Sequence, residues 1–215
     1  MEDTNTEKCC VVTCDMEPGE SFWNNQYDTG VTGWDLGAIS PPIKSYVDQL
    51  RDKDMRILIP GCGNGYEASY LLQQGFTNIT VIDIAATPVA RLKEKFAGHP
   101  NIKIVMGDFF EHKGMYDLIL EQTFFCAITP AMRKDYAAKM KALLAPNGKL
   151  VGVLFDREFE QAGPPFGGCK CEYVPIFEKD FIFKTFELCN NSYVKRKGSE
   201  LFINFQKKPS YHNSC

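Results

Sequence analysis

The residues of this chain whose types and spacing can do chemistry sit at the ends of short aliphatic runs. Gly61, Gly63 and Gly65 fall in "RILIPGCGNGYEASYLLQQGF", between such a run and an amphipathic segment. Glycine lets backbone N–H groups approach a ligand closely, and the N-terminus of a following helix favours negative charge. Asp83 ends the run "ITVIDI", where its carboxylate is placed to accept both hydroxyls of a ribose. "GDFF" follows the third run, with Asp108 suited to accept the exocyclic amine of adenine and Phe109 to cover the ring. Glu121 and Gln122 end the fourth run in "LEQTFF", both expected to face the cleft. Each has a bland reading, since tight turns use glycine and acids commonly end strands. As a set they describe a nucleotide cradle.

A triphosphate, a dinucleotide and S-adenosylmethionine compete for such a cradle. A triphosphate loop needs Lys-Ser or Lys-Thr after its last glycine, and Tyr66-Glu67 follows Gly65 here. The dinucleotide fingerprint wants a glycine where Tyr66 stands, so the loop is GxGxG rather than GxGxxG.

The elements that must position these residues alternate. Aliphatic runs at 56–60, 79–84, 102–108, 116–121 and 149–155 are separated by helical periodicity at 65–75, 86–97 and 130–145. Strands this apolar are expected to be buried on both faces, as in a parallel sheet covered by helices. After 156, "FIFKTFELCN" and "ELFINFQKK" read as two strands joined by a polar turn. The expected fold is α/β: a Rossmann-like, doubly wound, mostly parallel sheet of seven strands with a C-terminal antiparallel hairpin. Ligands of such sheets sit at the carboxyl ends of the strands, where strand order reverses.

With 215 residues, 44% of them hydrophobic, the chain suits one globular domain. A net charge of -3 leaves no electrostatic footprint for nucleic acid and favours a small-molecule partner. The polar N-terminus and the lack of an eighteen-residue apolar stretch point to a cytoplasmic protein without a membrane partner, expected to be a monomer. The nine cysteines, odd in number and irregular in spacing, are expected to be reduced thiols. Cys9, Cys10 and Cys14, and Cys169 with Cys171, form no CxxC, and the histidines are scattered, so no metal is expected.

"FWNNQYDTGVTGWDLG" (22–37), "LIPGCGNGYEA" (58–68), "YDLILEQTFFCAITPAMRKDYAAKM" (116–140) and "GPPF" (163–166) resemble the thiopurine methyltransferase family of S-adenosylmethionine-dependent enzymes, particularly its halide and thiol methyltransferase branch. The resemblance implies one domain over 21–207, with an N-terminal lid at 21–54 and flexible tails at 1–20 and 208–215. It implies S-adenosylmethionine as cofactor. Trp23, Tyr27 and Trp34 fall at aromatic lid positions, and Gly61 and Gly63 on the methionine-binding loop. Asp83 falls at the ribose, Asp108 and Phe109 at the adenine, and Gln122 near the methionine portion. Two positions depart from common patterns: Ile59 stands where many methyltransferases carry an acid, and Tyr27 where tryptophan is frequent. Aromatic faces attract a sulfonium cation by about 0.5–2 kcal/mol, which gives the lid a physical purpose.

The implied reaction is in-line displacement onto a small soft nucleophile: a thiol, a thiopurine-like thiol or a halide. Such acceptors already carry charge as anions and need no general base; if one is used, Asp35 and Glu121 are the candidates nearest the mouth. "GPPF" differs from the Asp/Asn-Pro-Pro motif of amino-directed enzymes and reads as a loop over the substrate mouth. Phe124, Phe125 and Phe155 are candidates for an apolar wall. A small-molecule O-methyltransferase remains an alternative, as do a dinucleotide-dependent oxidoreductase and a non-catalytic interaction platform.

Overall fold

The computed structural model describes residues 18–209. Two helices precede the sheet: α1 (Glu20–Thr29), closed by Gly30 at φ 72°, and α2 (Pro41–Val47), opened by prolines whose missing N–H groups cost nothing in a first turn. The aliphatic runs become β1 (Ile57–Pro60), β2 (Ile79–Asp83), β3 (Ile102–Met106), β4 (Tyr116–Gln122) and β5 (Leu144–Phe155). Between them lie α3 (Tyr66–Gln73), α4 (Ala86–Lys95) and α5 (Arg133–Leu143). The chain continues through α6 (Lys170–Phe177), β6 (Phe181–Leu188) and β7 (Glu200–Lys207).

The strands form a seven-stranded sheet in the order β3-β2-β1-β4-β5-β7-β6. β1 to β5 pair in parallel, while β7 lies antiparallel between β5 and β6. The hairpin therefore joins the sheet through its second strand and leaves β6 at the edge. Strand order reverses between β1 and β4, which puts a crevice at their carboxyl ends.

Side-chain alternation along each strand builds two cores. Ile57 and Ile59 pack with Ala68, Leu71 and Leu92 on the face covered by α2, α3 and α4. Leu58 turns the other way, into a core with Tyr136 of α5 and Phe177 of α6. β1 and β2 are buried on both faces as expected, but β3 is only partly covered and Met106 is 46% exposed. Its position at the sheet edge explains the difference.

The cysteine expectation needs a correction. Cys169 and Cys171, with Cα atoms 5.4 Å apart, are joined in a disulfide at the start of α6, a separation within disulfide reach. Cys62, Cys126 and Cys189 are free and buried. Cys9, Cys10, Cys14 and most of both expected tails lie outside the described residues. Among the described residues no group of three or more His, Cys, Asp or Glu gathers to hold a metal ion, and no helix is long and apolar enough to cross a membrane.

Candidate functional site

A cavity of about 290 Å³ opens where the strand order reverses, between the ends of β1, β2 and β4 and the N-terminal helices. Gly61 and Gly63 form its floor, Asp83 and Gln122 stand at the strand ends, and Asp108 and Phe109 follow β3. Trp23, Tyr27 and Trp34 come from the N-terminal segment. Every residue singled out for cofactor contact therefore lines one space.

The glycine loop is shaped by close approach. Gly61 and Gly63 adopt φ 57° and 47°, a region that disfavours side chains. A Cβ on Gly63 would meet the Tyr27 hydroxyl at 2.7 Å, and one on Gly61 would strike the Phe124 ring. Asp83 Oδ2 accepts the Gly63 N–H at 2.9 Å and Oδ1 the Ala85 N–H at 2.9 Å. Burial raises its pKa, and those N–H groups work against the rise.

The lid aromatics form one assembly. Trp23 and Tyr27 lie four residues apart, on one face of α1. Each meets the Trp34 ring edge-on, with centroids at 5.5 and 5.8 Å. Burial pushes the Tyr27 phenol well above its ordinary pKa. α1 docks on α4, where the Thr87 N–H donates to Asn24 Oδ1 at 3.1 Å and the Thr87 hydroxyl to Asp28 Oδ1 at 2.8 Å.

The two candidate bases part company. Asp35 lines the cavity, and its carboxylate accepts the Gly37 N–H, the Asn64 side-chain amide and the Tyr66 hydroxyl. It fastens the lid to the glycine loop. Glu121 was expected to face the cleft beside Gln122; instead it is 0% exposed, on the opposite face of β4. Its Oε1 accepts the Phe124 and Phe125 N–H groups at 2.8 and 2.9 Å, and its Oε2 the Tyr136 hydroxyl. Adjacent strand residues point to opposite faces, so Glu121 and Gln122 cannot both enter the cavity. Burial lifts the Glu121 pKa to about 7.

Phe110, Phe124, Ile128, Met132, Pro164 and Pro165 contribute apolar surface to the wall, and among the described residues no Lys, Arg or His lines the cavity. Of the segment expected to lie over the mouth, Pro164 and Pro165 line the cavity. Phe125 instead lies in the core against Tyr136 and Tyr173, and Phe155 packs on Phe159. Cys62 and Cys126 also line the cavity; burial pushes the first thiol far up and the second to about 12.

S-Adenosylmethionine fits this cavity. Gln122 Nε2 is buried in the wall with no partner among the described residues, and the bare backbone of the Gly61 and Gly63 turn leaves room that a side chain would take. The family model of thiopurine S-methyltransferase (TPMT) matches residues 19–208. The chain belongs to this family. A probable thiol methyltransferase 2 of Arabidopsis thaliana is 33% identical over 92% of this chain and 90% of its own. A thiocyanate methyltransferase 1 of Brassica oleracea is 30% identical over 87% of this chain and 85% of its own. Among solved structures, a Burkholderia thailandensis 1,6-didemethyltoxoflavin-N1-methyltransferase with bound S-adenosylhomocysteine matches with a TM-score of 0.69 at 16% identity, covering 94% of each chain. That last likeness speaks for the fold. The protein is an S-adenosylmethionine-dependent methyltransferase, and the dinucleotide alternative falls.

Sequence reasoning passed over three residues of this methyltransferase's site. Glu67 is 7% exposed on the cavity wall, and burial pushes its pKa to about 7. Ser40 donates its hydroxyl to Gln122 Oε1 at 2.6 Å. Arg196, from the turn between β6 and β7, donates to the Trp34 carbonyl at 2.7 Å. The acid two residues past the glycine loop was visible as a type, but nothing local showed its burial.

Proposed function

We propose that this methyltransferase acts on a small soft nucleophile, a thiolate first and thiocyanate or a halide second. The observation that carries the reading is the apolar part of the wall, Phe110, Phe124, Ile128, Met132 and the two prolines, with no basic side chain among the described residues that line the cavity. Such a wall strips water from a polarisable anion and offers no hydrogen bond to a carboxylate or phosphate on a larger acceptor. The relatives described above, a probable thiol methyltransferase and a thiocyanate methyltransferase, point the same way.

Under this reading Asp83 holds the ribose, Asp108 and Phe109 the adenine, Gly61 and Gly63 present backbone to the methionine portion, and Gln122 contacts it. Trp23, Tyr27 and Trp34 turn their faces to the cation. Bound S-adenosylmethionine supplies a methyl group on a sulfonium. Phe124 and its apolar neighbours keep water from the acceptor and hold it in line, where orientation and desolvation do most of the work. No residue is assigned as a base: Glu121 is turned away, and Asp35 is occupied as a tether. A thiol of pKa about 8.5 is only a few per cent thiolate at neutral pH, so acidic thiols react faster. We further propose that one domain spanning 21–207 acts as a monomer in the cytoplasm, without nucleic-acid or membrane partners.

Methyl transfer measured across bisulfide, an aromatic thiol, thiocyanate, iodide and a phenol tests the reading. Turnover of the sulfur acceptors well above the phenol is expected; preference for the phenol would replace the proposal with the O-methyltransferase alternative.

A further inference from the structure

The cavity wall carries the carboxylates of Asp35, Glu67, Asp83 and Asp108, and three of them are already committed. Asp83 spans the Gly63 and Ala85 N–H groups, and Asp35 ties the lid to Asn64 and Tyr66. Asp108, exposed after β3, accepts the Phe110 N–H. Glu67 differs. It stands in the first turn of α3, where only backbone groups, its own and that of Ser40, oppose the pKa rise that burial brings, and it enters no ion pair among the described residues. A buried acid without a cation tends to keep its proton unless a group of opposite charge arrives to meet it.

Ser40 connects this acid to a second unfinished group. Its backbone is close enough to Glu67 to oppose the rise of that acid's pKa, and its hydroxyl donates to Gln122 Oε1 at 2.6 Å. With Oε1 taken, the Gln122 amide is oriented so that Nε2 lies buried with no acceptor among the described residues. One serine thus holds an acceptor without a cation beside a donor without an anion. That pairing matches an α-amino acid zwitterion. β1 offers the ammonium nothing, because Ile59 is 2% exposed in the aliphatic layer beside Ala68 and Leu71.

We propose that Glu67 and Gln122 read the amino-acid end of the cofactor, Glu67 taking the α-ammonium and Gln122 Nε2 the α-carboxylate. The inference rests on the cofactor assignment and names the groups that hold its charged tail. Glu67 supplies from the first turn of α3 the charge that Ile59 does not supply from β1.

Calorimetric titration with three ligands tests it: S-adenosylhomocysteine, the same molecule with its amine replaced by hydrogen, and 5′-methylthioadenosine, which lacks the tail. Wild type binds S-adenosylhomocysteine at least about tenfold more tightly than the amine-free analogue, as a charge-assisted contact requires. Glu67→Gln binds those two within about threefold of each other and binds methylthioadenosine as wild type does. Equal affinity of wild type for the first two ligands overturns the proposal, and that comparison stands even if the variant does not fold. A folded Glu67→Gln that keeps the wild-type preference for the amine overturns it too. Wild type that binds methylthioadenosine but gains nothing from the tail overturns this inference alone; wild type that binds none of the three removes the cofactor assignment with it.

Discussion

Arg196 and Trp34, far apart in sequence, meet where the Arg196 guanidinium donates to the Trp34 carbonyl at 2.7 Å. The same guanidinium pairs with Glu200 at 3.4 Å and lies over the Phe155 ring at 5.4 Å. The hairpin thus fixes the backbone of the lid tryptophan. Arg196→Ala should cost about 3–5 kcal/mol in urea unfolding, because it leaves the buried Glu200 without its cation. Arg196→Met combined with Glu200→Gln should recover much of that stability yet still bind S-adenosylhomocysteine more weakly than wild type. Wild-type affinity in the double variant would mean the Trp34 contact is incidental.

Trp34→Leu keeps apolar bulk and removes the aromatic face. Cofactor affinity and turnover should fall while thermal stability changes little, and Trp34→Phe should recover part of both. The loss should correspond to about 0.5–2 kcal/mol of cation–π attraction. Equal behaviour of the two variants in calorimetry would show that the ring merely packs between Trp23 and Tyr27.

Asp83→Ala removes a carboxylate that spans two backbone N–H groups as well as its proposed contact with the ribose. Affinity for S-adenosylhomocysteine should drop roughly tenfold to a hundredfold, in line with charged hydrogen bonds worth about 1.5–3 kcal/mol. Asp83→Asn should fall between, since its one amide oxygen can serve Gly63 or Ala85 but not both. Unchanged binding by a folded Asp83→Ala would remove the ribose assignment.

Glu121 makes stability depend on pH. Burial raises its folded pKa from the ordinary 4.5 to about 7, so the folded state holds the proton more tightly than the unfolded chain. Its contribution is therefore fully present below about pH 4.5, is lost as pH climbs to about 7, and is level above that. Glu67 acts in the same window. Glu121→Gln should flatten the profile, a difference of up to about 3 kcal/mol across the window. Melting temperatures of wild type and variant from pH 4.5 to 8 check this, and parallel profiles would refute it.

Chelation should leave turnover unchanged, because the proposed chemistry asks for no Lewis acid. Reduction should also leave it unchanged, because neither Cys169 nor Cys171 lines the cavity. A rate that drops with either reagent would count against the proposed mechanism.

The sheet was legible because β1, β2 and β4 are aliphatic runs closed by glycine or acid, and those closing residues fall at the reversal of strand order. The helices of the lid were not. α1, "ESFWNNQYDT", has no aliphatic stripe, and only the spacing of Trp23 and Tyr27 marks its inner face. β5 begins at Leu144, earlier than its aliphatic run, because the chain pairs with Tyr116 before a register shift and again from Leu118 onward. Glu67 looks like any acid favoured by the dipole of a first turn. Its burial is set by tertiary packing, which periodicity around α3 cannot reveal. Glu121 was misplaced by reading strand ends as clusters when a strand sends neighbours to opposite sides.

Cys62 and Cys126 line the cavity proposed to take an electrophilic methyl donor, where either sulfur as a thiolate would be a competing acceptor. Burial keeps both protonated, with the Cys126 pKa pushed up to about 12 and that of Cys62 far above its ordinary value. Under the proposed reading, the same burial that would activate a visiting anion would silence the resident sulfurs and protect the enzyme from alkylating itself.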